Sequence, residues 1–232
     1  MTNAYVRPIS SRSVVSSVTE ELRRAILSGG LAPGQRFSLR EIANMLAVSF
    51  IPVREALRTL ESEGLVVIEP GRSAFVAPLN LNDLQAIYRL RRVLEPDLAR
   101  RSCLMLTVEQ LNRLDVDAVN FGYEDLGADA VCDSHLHFHL ALLAPAATSW
   151  DVRVLTMLWR AAERYVRIGF GLLVRDPHEH ERREQTHEDL IAAFRRRDPD
   201  LAAQAIYDHL ARNEETARMA LDEYRADVKA TS

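Results

Sequence analysis

The stretch Ser38-Leu-Arg-Glu-Ile-Ala-Asn-Met-Leu-Ala-Val-Ser49-Phe-Ile-Pro-Val-Arg54-Glu-Ala-Leu-Arg58-Thr-Leu60 holds two helices and the short turn between them. Ser38 followed three residues later by Glu41 is a capping box: the hydroxyl accepts from the first turn and the carboxylate reaches back. The helix it opens turns Ile42, Ala43 and Leu46 inward and stops near Val48. Ser49 opens the second helix, with Pro52 in a first turn that needs no N–H from it. Val53, Ala56, Leu57 and Leu60 recur at helical spacing and form a buried stripe. Arg54 and Arg58 lie one turn apart on nearly the opposite side, so they face outward.

An earlier helical pattern runs from about Ser13 to Leu27, with Val14, Val18, Leu22, Ala25 and Ile26 near one face. Gly29-Gly30 ends it and Pro33-Gly34 makes a turn. Gly64 closes the third helix at a C′ position. Leu65 to Glu69 then reads as a strand, Pro70-Gly71-Arg72-Ser73 as a turn, and Ala74 to Ala77 as the return strand. Three helices followed by a hairpin is the order of a winged helix-turn-helix. Its second paired helix enters the major groove and its wing follows the backbone. A single surface arginine is ordinarily a solvated charge. Here a capped helix pair, a proline at the second start and Gly-Arg at the wing tip occur together, which points residues 1–78 toward DNA.

These residues carry a resemblance. Ser17-Val18, Leu22-Arg23, Leu31-x-Pro-Gly34, Leu39-Arg-Glu-Ile-Ala43, Val48-Ser49, Pro52-Val-Arg-Glu-Ala-Leu57 and Leu60-Glu-x-Glu-Gly-Leu65 closely resemble the GntR family of bacterial transcription regulators over residues 12–78. The resemblance implies DNA contacts at Arg40, Ser49, Arg54 and the wing tip Gly71-Arg72, and Arg58 extends the same outward face. After Val48-Ser49 the family carries a base-reading Arg, and this chain carries Phe50. Phenylalanine has no fork for guanine and can at most pack on a thymine methyl, so the family's half-site does not transfer.

Beyond a short linker from Pro78 to Asn82, where Asn80 or Asn82 can cap, no strand pattern occurs. Six helices are expected, at roughly 83–102, 107–120, 126–143, 149–171, 177–197 and 199–225. Thr107-Val-Glu-Gln110 is a second capping box, Pro96 should kink the helix it interrupts, and Pro177 and Pro199 mark helix starts. The expected fold class is mainly α: an N-terminal winged helix-turn-helix (three helices plus a β-hairpin), then an all-α six-helix antiparallel bundle over residues 79–232.

Composition agrees with two soluble domains. The 232 residues carry 29 basic and 33 acidic side chains for a net charge of −4, with 47% hydrophobic residues. Residues 1–78 have a net charge of +2 and the rest −6, and all seven histidines lie at or beyond His135. The run Phe138 to Trp150, which carries no Asp, Glu, Lys or Arg, is too short to span a membrane. No secretory signal is visible, and two cysteines, Cys103 and Cys132, make no disulfide framework, so the cytoplasm is the expected location.

The histidines divide by helical face. Val131, His135, Phe138, His139 and Leu142 form one apolar stripe, while His137 points away beside Asp133. His187 shares its face with Leu190, Ile191 and Phe194, and His209 with Ala202, Ala205 and Ile206. His178 and His180 fall in a charged helix start. A lone inward histidine is ordinarily a satisfied core residue. Four of them would each need partners for two nitrogens, and one divalent metal satisfies all four together.

This half resembles the FadR-type C-terminal effector domain of GntR regulators, the FCD domain. The matching stretches are Leu90-Arg-x-x-Leu-Glu95, Phe138-His139-x-x-Leu142, Thr186-His187-x-x-Leu-Ile-x-Ala193 and Ala205-x-x-x-His209-Leu210. The resemblance implies a metal held by three histidines, here His139, His187 and His209, and by an Asp or Asn whose position falls on His135. Four neutral imidazoles cancel none of a divalent ion's charge, so the site should attract an anion. All-nitrogen ligation suits a divalent transition metal, zinc first, with nickel or iron as alternatives, and disfavours magnesium and calcium.

Leu84, Ile87, Arg91, Leu94, Glu95 and Leu98 share one face, where Arg91 and Glu95 make a structural ion pair or Arg91 offers its fork to an effector carboxylate. Tyr165 lies in line with Leu158, Trp159 and Ala162, as core or with its hydroxyl at the pocket rim. The reading is a ligand-responsive transcription repressor: a homodimer on a double-stranded operator, switched by a small carboxylate, with no membrane association and no catalytic residues. Two alternatives compete with it, a regulator for which the metal is itself the signal and a histidine-ligated bundle metalloenzyme. The latter lacks His-Glu-x-x-His and any carboxylate on the histidine stripes except Glu95, which leaves no acid or base to nominate.

Overall fold

The computed structural model describes residues 14–69, 73–120, 128–173 and 179–230. The chain divides into two compact units, Met1–Pro78 and Leu79–Ser232.

In the first unit the order is α1 (Val14–Leu27), β1 (Arg36–Ser38), α2 (Leu39–Met45), α3 (Phe50–Ser62), β2 (Val66–Glu69) and β3 (Ser73–Val76). Local signals set most of these ends. The Ser38 side chain accepts from the Glu41 N–H at 3.2 Å, and the Ser38 N–H donates to the Glu41 carboxylate at 2.6 Å, which closes the capping box. Gly64 takes φ +73°, and its N–H and that of Leu65 donate to the Glu61 and Leu60 carbonyls, the Schellman ending that a left-handed residue permits. Ala47, in the turn between α2 and α3, also takes a positive φ of 51°. Val18, Leu22 and Ile26 of α1 meet Val53, Ala56, Leu57 and Leu60 of α3 in one core, closed below by Leu65, Ala74 and Val76.

Two features differ from the reading of the sequence. Val14 is exposed and Ala25 only partly buried, whereas Arg23 is buried. Arg23 meets Glu63 with two parallel bonds, Nε to Oε2 at 3.0 Å and Nη2 to Oε1 at 2.8 Å, tying α1 to the end of α3. The hairpin is also two strands of a three-stranded antiparallel sheet in the order β1-β3-β2, with Phe37 opposite Ala74 and Val67 opposite Phe75. Three residues are too few to show alternation, and Ser38 serves as both strand end and helix cap.

The second unit contains α4 (Leu81–Met105), α5 (Val108–Asn120), α6 (Ala128–Leu143), a 3₁₀ turn (Ala144–Ala146), α7 (Ser149–Leu173), α8 (Glu179–Arg195) and α9 (Pro199–Ala230). Asn80 caps α4 by accepting from the Asn82 N–H at 2.8 Å, and Thr107 and Gln110 make the expected reciprocal pair. Thr148 with Asp151 makes another, and Asp198 accepts from the Asp200 and Leu201 N–H groups at the start of α9. α4 is helical through Pro96. It packs along α9, with α7 against both, α8 against α5 and α9, and α6 against α4, α5 and α7. Among the described residues no helix is long and apolar enough to cross a membrane.

Candidate functional site

The first candidate surface is the start of α3. Ser49 occupies its N-cap position without a side-chain cap bond. Phe50 and Ile51 follow, 53% and 65% exposed although both are large and apolar. Arg40, Arg54 and Arg58 are all exposed. Arg54 and Arg58 reach the Glu55 carboxylate only at 3.5 and 3.6 Å, loose pairs that leave both guanidinium groups facing solvent. Sequence reasoning named all of these except Ile51, whose exposure follows from its place opposite Val53, Ala56 and Leu60. The wing residues Gly71 and Arg72 lie outside the described residues.

The second candidate site lies inside the bundle. α6 supplies His135 and His139 from successive turns, α8 supplies His187, and α9 supplies His209. All four are buried, and one ring nitrogen from each lies within 4.8 Å of the others. The Nε2 atoms of His135 and His139 are 3.2 Å apart, and those of His139 and His209 are 3.1 Å apart. Tetrahedral ligation at about 2.0–2.1 Å places donor nitrogens about 3.3 Å apart, so the spacing suits a single small cation. The donor set is all nitrogen, which fits zinc, nickel or iron(II) and not the oxygen-seeking magnesium or calcium.

The electrostatics agree. Burial, and then the neighbouring imidazoles and Arg91, hold His139 and His209 well below the usual histidine value of 6.5, so both are neutral at pH 7 and able to ligate. Their Nδ1 atoms are buried with no hydrogen-bond partner among the described residues. His137 is exposed. His178 and the side chains of His180 and Asp133 lie outside the described residues.

Arg91 stands beside the cluster. It is fully buried, its Nε donates to Glu95 Oε1 at 2.7 Å, and its guanidinium stacks 3.7 Å from the Trp159 ring. Trp159 in turn lies 4.8 Å from the His139 ring and 5.5 Å from that of His135. The structural pair with Glu95 is therefore present. Yet Nη1 and Nη2, two of the three guanidinium nitrogens, have no hydrogen-bond partner within bonding geometry among the described residues, and burial pushes the Glu95 carboxyl up against the pull of Arg91. A buried cation with four unspent N–H bonds is costly unless an acceptor reaches it.

Two further side chains differ from or add to the sequence reading. The Tyr165 hydroxyl does not turn to the rim of the histidine site: it donates to the Asn80 carbonyl at 3.1 Å and lies 3.2 Å from the Asn80 N–H. It thus ties α7 to the start of α4. Asn213 places its amide 2.9 Å from His209 Nε2. It lies one turn beyond His209, a spacing that repeats His135 and His139, and that repetition was the signal available in the sequence. The cavity next to the cluster, lined by His135, Leu136, Trp159, Glu163 and Val166, holds about 10 Å³, room for one water.

Comparison with known proteins bears on both surfaces. Residues 15–76 match the family described as bacterial regulatory proteins, gntR family, and residues 86–212 match the FCD domain. The HTH-type transcriptional repressor RspR of Escherichia coli K12 is 28% identical over 201 residues, covering 85% of this chain and 86% of that protein. The gluconate operon transcriptional repressor of Bacillus licheniformis is 27% identical over 204 residues, covering 86% and 83%. Among solved structures, Escherichia coli McbR/YncC superposes with a TM-score of 0.73 at 22% identity, over 92% of this chain and all of that one, and shares the fold. A winged helix of the right order, a helical bundle following it in the chain and the two family matches carry one conclusion: the chain belongs to the GntR family of DNA-binding transcription regulators, with an FCD domain as its second half, and it is not an enzyme.

Proposed function

We propose that this protein is a cytoplasmic, homodimeric repressor whose helical domain binds one divalent transition metal and a small carboxylate that together set operator affinity. The observation that carries the reading is the convergence of four buried histidines beside a buried arginine, two of whose guanidinium nitrogens have no partner among the described residues. His135, His139, His187 and His209 would hold the metal, zinc first and nickel or iron next. When bound, it supplies an electrophilic anchor for a carboxylate oxygen. Arg91 orients the rest of that carboxylate with its free fork, and Leu142, Ile191 and Phe194 wall the site with apolar surface. Arg40, Ser49, Phe50, Arg54, Arg58, Gly71 and Arg72 make the DNA contacts. One winged helix reads few base pairs, so a dimer on a two-fold symmetric operator doubles the discrimination.

The described cavity beside His135 has room for about one water, so an organic acid seated there would have to move side chains of α6 and α7 apart. Binding of the acid is then inseparable from a change of the bundle, and that change is what a regulator needs. The same small cavity favours the second reading, in which the metal alone is the signal.

Elemental analysis and calorimetry on the purified chain separate these. One metal per chain is expected, lost in His187→Ala with a lower melting temperature and kept in His137→Ala. Arg91→Lys keeps the charge but loses the fork, and should weaken carboxylate binding roughly 10-fold. Metal retained in a His139→Ala/His187→Ala double variant would overturn the assignment. Metal-dependent operator binding that no organic acid alters would establish the metal-only reading.

A further inference from the structure

The outward face of α3 begins with two residues that neither the core nor the charge of a DNA-reading helix explains. Phe50 and Ile51 are the first two residues of that helix, and both stand more than half exposed. They are not strays from the buried stripe, because Val53, Ala56, Leu57 and Leu60 fill it completely. Met45, the last residue of α2, is exposed too, so the apolar surface spans both sides of the turn that Ala47 and Ser49 make. Arg54 and Arg58 continue the same face one and two turns on, and Arg40 is exposed on α2. The combination is an apolar tip with guanidinium groups behind it.

Duplex DNA meets both halves of that description. The N-terminal residues of a recognition helix reach the base edges, and basic residues beyond them meet phosphates. Among the four bases, only thymine offers the major groove an apolar group, its 5-methyl. Phenylalanine and isoleucine have no donor or acceptor to offer guanine, cytosine or adenine. Pressed against those edges they would strip water from polar atoms and give nothing back, which penalises the wrong bases as firmly as the methyl contact favours the right one.

We infer that Phe50 and Ile51 read the operator through thymine methyl groups, so that each half-site carries one or two thymines recognised by shape and apolar contact rather than by a hydrogen-bonding fork. Consecutive residues on a helix point about 100° apart, so the two side chains reach neighbouring base pairs and not the same one. The inference rests on DNA binding by this half of the chain, and it names the residues that choose the base.

The test uses the full-length protein and a pool of duplexes with a randomised central segment. After enrichment, the best duplex is remade with deoxyuridine in place of thymine, one position at a time, which removes the methyl and leaves every hydrogen-bonding edge intact. Each recognised thymine should cost roughly 3- to 10-fold in affinity when its methyl is removed, the effect of about one buried carbon. Phe50→Ala should abolish that sensitivity at one position and Ile51→Ala at the next, and Phe50→Arg should move the enriched base from thymine to guanine. All three variants change exposed residues, and an unchanged melting temperature will show that folding is intact. An enriched sequence indifferent to deoxyuridine at every position would overturn the inference and leave DNA binding standing. So would variants that enrich the parent sequence while altering only the oligomeric state, which would make the patch a contact between copies. A pool in which nothing is enriched would overturn both.

Discussion

Within the bundle, charge and water decide what single side chains can do. His139 and His209 are held below 6.5 chiefly by burial, then by each other's neighbours and by Arg91. Between their folded values and about 6.5 the unfolded chain therefore binds more protons than the folded one, so stability falls as pH drops through that window. Each unit of depression is worth about 1.4 kcal/mol. Melting of metal-stripped protein should thus weaken progressively from pH 7 downward, and a His139→Leu/His209→Leu variant should lose most of that slope. A wild-type melting temperature flat between pH 7 and 5 would refute this. That His135, His139, His187 and His209 turn inward was legible because helical spacing sorts histidines by face: His135 and His139 fall on the stripe of Phe138 and Leu142, and His137 does not. What Arg91 does was not legible. Spacing gave its pairing with Glu95, but only three dimensions show one nitrogen used and two left over. Tyr165 lies in the core, the first of its two readings; the partner of its hydroxyl was not legible, since a hydroxyl on an apolar stripe takes the nearest backbone group, here Asn80.

Single elements are held by bonds that close their ends. Every helix start argued from a Ser/Thr-x-x-Glu/Gln pattern formed its reciprocal cap, because the geometry is local and needs no tertiary partner. Elements whose existence depends on partners were harder to see. β1 is a strand only because β3 lies beside it. Likewise the Arg23–Glu63 fork joins residues 40 positions apart, and nothing near either one signals the other. That fork fixes α1 against the far end of α3, the helix that carries Phe50, Ile51, Arg54 and Arg58. Arg23→Ala would strand a mostly buried carboxylate and should cost roughly 2–3 kcal/mol of stability in denaturant titration. DNA affinity should fall with it, through a less rigidly held α3. Loss of under 0.5 kcal/mol would mean that water replaces the arginine freely.

For the whole molecule the question is how a bundle and a winged helix exchange free energy. The segment Ala77–Asn80 is all that separates the last strand from α4, and α4 carries Arg91. A ligand shifts operator affinity only by its differential affinity for the two states, and the coupling is reciprocal. Operator duplex should therefore weaken carboxylate binding by the same factor, 5- to 150-fold for about 1–3 kcal/mol, by which the carboxylate weakens operator binding. Calorimetry with and without operator measures both, and unequal factors would exclude a two-state coupling. The arrangement around Trp159 makes the same event visible in another way. The chain has two tryptophans: Trp150 is 69% exposed, while Trp159 is 5% exposed and lies between the Arg91 guanidinium and the His139 ring. Its indole is thus a resident fluorophore at the contact between Arg91 and the histidine cluster, and Trp150→Phe would leave its emission alone in the spectrum. Any guest that draws Arg91 off the ring, or a paramagnetic ion seated among the histidines, would register as a change in colour or brightness of unlabelled protein.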